Sequence, residues 1–431
     1  MGTHGDSESA QRSLLHNPWV QLAAGILGMI AVANFQYAWT VFVRPIEAKR
    51  GWSRESILDA LNLYFVVSQT WLVPLEGYLA ERFGPRRLMF LGGILAGSAW
   101  VINAYAPSLA VLNAAQVMSG VGSGIVYSIS VGNALKWFPT RRGLAAGLTA
   151  AAFGAGSAAT ILPIRWTIYR IDYPTAFLWF GIGQGLVVIA AGLFMRFPSP
   201  HAINAANVAN GTDSGRDQTP WQMLRQPVFW LLYGMMTLGA IPGLLMLGQL
   251  EPMAYDFGVA ETELFHWGTE PMLALPAALM LDRITGGLTR PIFGWLSDII
   301  GREWAIFFAF GLEGLALLVL IQFPHNPYLF VLMTGLAFFG WGAVFSLFPA
   351  VSADLFGPRF AATNYGLLYT AKGTASLLVI GLNRIRVTEG WPLVLALMIA
   401  ADWLAALLAI LVLKPLASRF LACESRSEAK A

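Results

Sequence analysis

One loop pattern occurs twice in the chain, as GYLAERFGPRR at residues 77–87 and as GWLSDIIGR at residues 294–302. Each copy follows a long apolar run, and the first glycines of the two copies are 217 residues apart. A second pair of loops, which lead to Gly147 and Gly366, repeats at a spacing of 219 residues. This repetition predicts a chain built from two related halves.

Each copy of the first loop combines an acid at a helix end, a turn glycine and basic residues. These groups predict a charge-assisted contact between neighbouring helices that favours one of two packings. The alternative is an ordinary loop with basic residues, and two copies at matching places favour the contact. The residues expected to form these gating loops are Gly77, Glu81, Arg82, Gly84, Arg86, Arg87, Gly294, Asp298, Gly301 and Arg302.

The composition indicates a membrane protein. Of the 431 residues, 56% are hydrophobic and 12% are charged, and the mean hydropathy is +0.60. A soluble domain carries about 25% charged residues, which excludes a soluble enzyme of this length. Twelve apolar stretches are long enough to cross a hydrocarbon core of about 30 Å as helices. They span 19–43, 56–81, 88–106, 109–137, 143–166, 174–196, 227–250, 271–295, 303–323, 328–353, 364–385 and 391–414.

These spans predict an all-α membrane protein with twelve transmembrane helices in two pseudo-symmetric six-helix bundles. The longest polar break, 197–226, is interpreted as a cytoplasmic linker. It separates an N-terminal bundle (19–196) from a C-terminal bundle (227–414), with cytoplasmic tails at 1–18 and 415–431. The lipid bilayer is then a partner, and we expect the protein to function as a monomer.

Basic residues are unevenly distributed between the two sides. If the N-terminus is cytoplasmic, the inner segments hold 16 Lys and Arg residues and the outer loops hold 8. By the positive-inside rule, this bias predicts cytoplasmic N- and C-termini in a multi-pass protein of the cell membrane. The first outer loop is an exception, because it carries Arg44, Lys49, Arg50 and Arg54.

Three cations lie inside apolar spans and away from the span ends, where a charge is costly and by default functional. Arg290 follows two glycines in GGLTRP (286–291), and Lys372 lies well inside the eleventh span. If the halves pack with pseudo-symmetry, both side chains line one cavity and can flank an anion. The alternative for either cation is a structural role, which for Arg290 is snorkelling to the membrane surface.

Arg283 is a possible second cation on the same helix as Arg290. It precedes Arg290 by seven residues, so the two share a helix face about 10.5 Å apart. The adjacent Asp282 is its possible partner and could simply neutralise it. Two further acids in spans, Glu313 and Asp402, are predicted to form interhelical hydrogen bonds.

Aromatic residues recur at helical spacing on the same spans. Tyr365, Tyr369 and Lys372 share one face of the eleventh span. Such stripes are often ordinary packing, but here they can also form a dry box that strengthens an anion's attraction to the cations. The candidate substrate-binding residues besides Arg290 and Lys372 are Gln36, Tyr37, Tyr127, Trp341, Phe345 and Tyr369.

Several motifs of other protein classes are absent from the sequence. There is no phosphate-binding loop, no metal-ligand cluster and no nucleophile elbow. We therefore expect neither enzyme activity nor a cofactor or metal, and no nucleic-acid partner.

Five stretches carry a resemblance to a known family: FQYAWT (35–40), GIVY (124–127), WFPTRRGLAAG (137–147), TRP (289–291) and AKGTAS (371–376). With the twelve spans and the doubled loop, they resemble the oxalate:formate antiporter family of the major facilitator superfamily. The resemblance covers most of both halves. It implies that Arg290 and Lys372 hold the two carboxylates of oxalate, and that Gln36, Tyr37, Tyr127, Trp341 and Tyr369 surround it.

The chain also departs from that family pattern. Phe345 stands where the family has a tyrosine, and Tyr369 stands where it has a tryptophan. Arg283 with Asp282 is more similar to the wider superfamily, including the monocarboxylate transporters. The acid that those transporters carry one turn before the arginine is replaced by Gly286.

Together, the resemblance and the cations predict a secondary transporter of small carboxylates. It would exchange oxalate for formate by alternating access around a central cationic site. One alternative is a proton-coupled monocarboxylate symporter of the lactate or pyruvate type. An alternative from another class is a transport-dead membrane sensor, for which a signalling domain is expected.

Overall fold

The computed structural model describes residues 16–66, 70–199, 217–267 and 270–428. Parts of the predicted tails (1–18 and 415–431) and of the predicted linker (197–226) lie outside the described residues. The division into these domains stays a prediction.

Helices account for most of the described chain. Before the linker region they are α1 (Pro18–Tyr37), α2 (Trp39–Arg50), α3 (Arg54–Val66), α4 (Val73–Phe83), α5 (Pro85–Tyr105), α6 (Leu109–Trp137), α7 (Arg142–Arg170) and α8 (Tyr173–Phe194). After it they are α9 (Pro220–Leu224), α10 (Pro227–Asp256), α11 (Ala274–Ile300), α12 (Arg302–Gln322), α13 (Pro327–Trp341), α14 (Val344–Phe356), α15 (Ala361–Glu389), α16 (Trp391–Leu408) and α17 (Lys414–Glu428). A short π-helical turn, Ala409–Leu413, joins the last two.

Within the described residues, nine helical segments are long and apolar enough to cross a membrane. The other three predicted spans are also helical: α3 with α4, α11, and α15. The predicted helical membrane fold is therefore observed, while the count of twelve crossings stays a prediction.

A β-hairpin between α10 and α11 was not predicted. Its antiparallel strands are β1 (Glu263–Trp267) and β2 (Glu270–Leu273), with Phe265 opposite Met272. The predicted eighth span began at residue 271, inside β2, because an apolar run this short does not distinguish a strand end from a helix start.

The doubled loop has the same backbone conformation in both copies. Gly84 joins α4 to α5 with φ 89° and ψ 151°, and Gly301 joins α11 to α12 with φ 94° and ψ 154°. Only glycine adopts this region readily, since a Cβ atom would clash with the backbone. The repeat in the sequence is thus a repeat of a helix–corner–helix structure.

The chain divides into two compact units. The first comprises residues 1–223 and 352–370, and the second comprises 224–351 and 371–431. In the first unit, the core contains an aromatic cluster in which Phe42 stacks on Phe177 with ring centroids 3.9 Å apart. In the second unit, the ring of Phe310 packs on the backbone of Gly239.

Large apolar side chains are also exposed on both units. Examples are Leu186 and Trp179 in the first unit and Trp230 and Leu404 in the second. Exposed apolar surface of this extent is unusual on a soluble monomer and suits contact with lipid.

Candidate functional site

Arg290 of α11 and Lys372 of α15 contact the same aromatic ring in the second unit. The guanidinium carbon of Arg290 lies 4.7 Å from the centroid of Phe345, and the Lys372 Nζ lies 5.2 Å from it. Arg290 is buried, with 7% of its surface exposed. The ring attracts both cations, although they repel each other. Two positive charges around one ring make this region suited to an anion.

A break between α13 and α14 precedes Phe345 directly. The Oγ1 of Thr289 donates a hydrogen bond to the carbonyl of Phe339, and the Ala343 amide bonds to Gly340 instead of continuing the α-helix. Gly342 lies so close to α11 that a Cβ atom there would be 2.9 Å from the Gly286 carbonyl oxygen. Gly342, Gly286 and Thr289 therefore hold the break between α13 and α14 against α11, the helix that carries Arg290.

Trp341 lies next to the same ring. Its ring centroid is 5.2 Å from that of Phe345, at an interplanar angle of 89°. The indole N–H is buried and has no acceptor among the described residues. Gly243 of α10 makes room for the indole, since a Cβ atom there would clash with the Trp341 ring. A buried donor beside two cations suits an anion with several acceptor oxygens.

The possible second cation lies in different surroundings from Arg290. Arg283 is exposed, whereas its neighbour Asp282 is buried with 5% of its surface exposed. Because the two arginines are seven residues apart, their side chains leave the helix in a similar direction. Their positions along the helix axis differ by about two turns. Arg283 is thus exposed, whereas Arg290 and the ring of Phe345 are buried.

The predicted aromatic residues of the first unit form a connected cluster. The ring of Tyr127 lies 5.4 Å from that of Tyr369 and 5.7 Å from that of Phe153, which in turn lies 5.7 Å from Tyr37. Gln36 is buried beside Tyr37 in sequence, with 8% exposed. Phe153 was missed by the sequence analysis, because its spacing links it to none of the charged residues.

The prediction for Glu313 and Asp402 was wrong. Both side chains are fully buried, on α12 and α16, and a Cβ atom added at Gly314 of α12 would lie 3.3 Å from the Cβ of Asp402. Neither carboxyl group has a hydrogen-bond partner among the described residues. The two helices therefore approach closely at Gly314 without a hydrogen bond from either acid to a described residue.

Within the described residues, no group of three or more His, Cys, Asp or Glu side chains is placed to hold an ion.

The sequence model of the Major Facilitator Superfamily matches residues 24–380 of the chain. The chain belongs to the major facilitator superfamily. It is therefore a multi-pass membrane protein and a secondary transporter of the major facilitator type.

Individual relatives include carriers of organic anions. The chain is 31% identical to the oxalate:formate antiporter of Oxalobacter formigenes over 406 residues, which cover 93% of this chain and 92% of the antiporter. It is 24% identical to monocarboxylate transporter 12-B of Danio rerio over 326 residues, covering 69% and 66% of the two chains. The structure of the human organic anion transporter MFSD10 (TETRAN) matches with a TM-score of 0.66 at 15% identity, covering 91% of this chain and 99% of that one. The structural match bears on the fold alone.

In this major facilitator protein, the first copy of the doubled loop makes its contacts within the first unit. The Glu81 carboxylate accepts hydrogen bonds from the Ala362 amide at 3.0 Å and from the Thr363 hydroxyl, and it pairs with Lys136 at 3.4 Å. Lys136 was not among the predicted residues. Arg82 contacts the Tyr78 hydroxyl at 3.3 Å, and the side chains of Arg86 and Arg87 are exposed.

The second copy contains an ion pair between two of its own residues. Arg302 pairs with Asp298 one turn earlier on the chain, at 2.6 Å, and also donates to the Ser297 hydroxyl. Gly294 is buried within α11. A further ion pair that the sequence did not indicate joins Arg142 to Asp354 at 2.7 Å, in the first unit.

Gly77→Ala is expected to break the contact between α4 and the start of α15. A Cβ atom at Gly77 would lie 2.6 Å from the carbonyl carbon and oxygen of Ala362, and backbone cannot move aside as a flexible side chain can. Overpacking costs about 1–3 kcal/mol, which shifts a two-state equilibrium by about 5- to 150-fold. The measurement is thiol labelling of an introduced cysteine, Ala361→Cys, in a Cys423→Ser background, which should become faster.

Gly183→Ala is the matched control, because a Cβ atom at Gly183 meets nothing within 4 Å. Equal labelling rates in the two alanine variants would show that the close approach at Gly77 does not protect residue 361.

Proposed function

We propose that the protein exchanges small carboxylates across the cell membrane, with oxalate as the dicarboxylate and formate as its counter-substrate. The observation that carries this proposal is the placement of Arg290 and Lys372 around Phe345. Transport would proceed by alternating access to this cationic site.

The chemistry of the site favours a small dicarboxylate. The Arg290 guanidinium can hold one carboxylate with two parallel hydrogen bonds, while Lys372 supplies a point charge for the other. The orphaned indole N–H of Trp341 adds a neutral donor. Phe345 offers no hydroxyl, so it supports the cations through its ring and leaves hydrogen bonding to the neighbouring residues.

The relatives support the same substrate class. The sequence similarity to the oxalate:formate antiporter extends over nearly all of the chain. By resemblance, Gln36, Tyr37, Tyr127 and Tyr369 would contribute aromatic and polar surface to the substrate. The doubled loops at 77–87 and 294–302 would act as gates, and the protein would work as a monomer with cytoplasmic termini.

A counterflow experiment tests the proposal. Purified protein is reconstituted into phosphatidylcholine vesicles loaded with formate, with oxalate or with buffer, and uptake of radiolabelled oxalate is followed. Exchange predicts rapid uptake only when a carboxylate is present inside. Uptake into empty vesicles that is driven by an imposed pH gradient would contradict exchange.

Uptake into empty vesicles that is driven by a pH gradient would support a proton-coupled monocarboxylate symporter. This candidate is favoured by the similarity to monocarboxylate transporter 12-B and to the apicoplast pyruvate carrier 1 of Toxoplasma gondii, which is 24% identical over 367 residues. Gly286 is evidence against the symporter, because by resemblance the symporters carry an acid at that position.

A further inference from the structure

A cavity at one end of the first unit is lined by three arginines. Arg44 of α2, Arg54 of α3 and Arg165 of α7 surround a volume of about 250 Å³, together with Thr40 and Tyr169. Liquid water occupies about 30 Å³ per molecule, so the cavity has room for a small carboxylate with part of its hydration shell. By the predicted orientation, this is the outer end of the unit.

The described residues of the lining carry positive charge. Among them there are three arginines and no carboxylate. Glu47, Glu55 and Asp59 occur on α2 and α3 nearby in sequence but are not part of the lining. Three guanidinium groups around one volume raise the local concentration of anions.

The neighbouring cations differ from these arginines in having partners. Lys49 pairs with Asp172 at 3.5 Å, and Arg50 donates to the Tyr173 hydroxyl at 3.1 Å. In contrast, neither Arg44 nor Arg54 makes an ion pair or a side-chain hydrogen bond to any residue in the described part of the chain. Arg165 stacks on the Tyr169 ring, 6.0 Å from its centroid. The donors of Arg44 and Arg54 thus remain available to a ligand.

This cavity also gives a reason for an anomaly in the sequence. The first outer loop breaks the positive-inside rule with Arg44, Lys49, Arg50 and Arg54. Two of those four residues line the cavity, and Arg165 joins them from a helix more than a hundred residues later. A site that binds anions accounts for basic residues on the side where the rule disfavours them.

We propose that Arg44, Arg54 and Arg165 form a capture site for small carboxylate anions, separate from the site around Phe345. The inference rests on the proposed function for its choice of anion. The capture site raises the rate at which carboxylates reach the protein, and guanidinium groups give it a preference for dicarboxylates. Because the arginines are exposed, its effect falls with ionic strength.

The first experiment measures transport kinetics. The variant Arg44→Gln/Arg165→Gln is compared with Arg170→Gln, which removes an exposed cation from the same helix end outside the cavity lining. The double variant is expected to raise the KM for oxalate about 3- to 10-fold at low ionic strength, with an unchanged maximal rate. The control should keep the wild-type KM. Equal KM values for the two variants would overturn the capture site.

The second experiment measures binding without transport, so that it stands apart from the proposed function. Radiolabelled oxalate is bound to the Arg290→Gln/Lys372→Gln protein in phosphatidylcholine nanodiscs, after thermal unfolding has shown that this variant is folded. The capture site predicts residual oxalate binding by this variant. That binding should disappear when Arg44→Gln/Arg165→Gln is added and should persist when Arg170→Gln is added. This result supports the capture site even if wild-type vesicles show no exchange. Absence of residual binding would overturn it.

A lipid headgroup offers similar anionic chemistry, so a third arm adds phosphatidylglycerol to the nanodiscs. Unchanged oxalate binding supports a soluble carboxylate as the ligand. Displacement of oxalate by phosphatidylglycerol would assign the cavity to lipid and overturn the proposal.

Discussion

Arg290→Lys is expected to reduce carboxylate exchange in vesicles by at least about 100-fold while leaving the protein folded. Lysine keeps the positive charge but loses the planar fork that holds a carboxylate with two hydrogen bonds. It also loses the guanidinium contact with Phe345, 4.7 Å from the ring centroid.

The matched control for this variant is Arg283→Lys, which makes the same chemical change at an exposed position of the same helix. It should keep most of the wild-type exchange rate. Thermal unfolding of both variants in detergent separates loss of transport from loss of folding. Normal exchange by the Arg290→Lys protein would remove Arg290 from the substrate site.

Lys372→Gln is expected to weaken oxalate binding far more than formate binding. Oxalate has one carboxylate for each of the two cations, whereas formate has a single carboxylate that Arg290 can hold alone. Loss of one charge-assisted hydrogen bond costs about 1.5–3 kcal/mol, which corresponds to about 10- to 150-fold in the dissociation constant. The measurement is the ratio of the dissociation constants for oxalate and formate in the wild type and in the variant.

An unchanged ratio would assign Lys372 a structural or gating role. The dicarboxylate preference would then lose its main support, and a monocarboxylate symporter with Arg290 as its anion anchor would become the better reading. Lys372→Arg serves as a control that keeps the charge near Phe345.

The sequence predicts the helical membrane fold well, because backbone in lipid must satisfy its own hydrogen bonds and apolar runs of sufficient length have few other solutions. It also singles out Arg290 and Lys372, since charges are rare in such runs. It does not predict the break after Trp341, beside which Thr289 donates a hydrogen bond to the carbonyl of Phe339, fifty residues later in the chain.

Contacts between distant segments are the part that sequence patterns miss. Lys136 reaches Glu81 over 55 residues, and Arg165 joins Arg44 around one cavity over a still longer separation. The periodicity of apolar residues shows which side chains share a face of one helix. It does not show which other helix packs against that face. Phe153 escaped notice for the same reason, although it contacts both Tyr37 and Tyr127.

The two glycine corners at Gly84 and Gly301 bear on how the chain arose. Their nearly equal backbone angles are what duplication of an ancestral half-length gene would leave behind. The acids beside them have since diverged: Glu81 bonds to the beginning of α15, whereas Asp298 bonds to Arg302 on the adjoining helix. The two corners thus share a backbone conformation but place their acids on different partners, so equivalent positions in the two halves are not interchangeable.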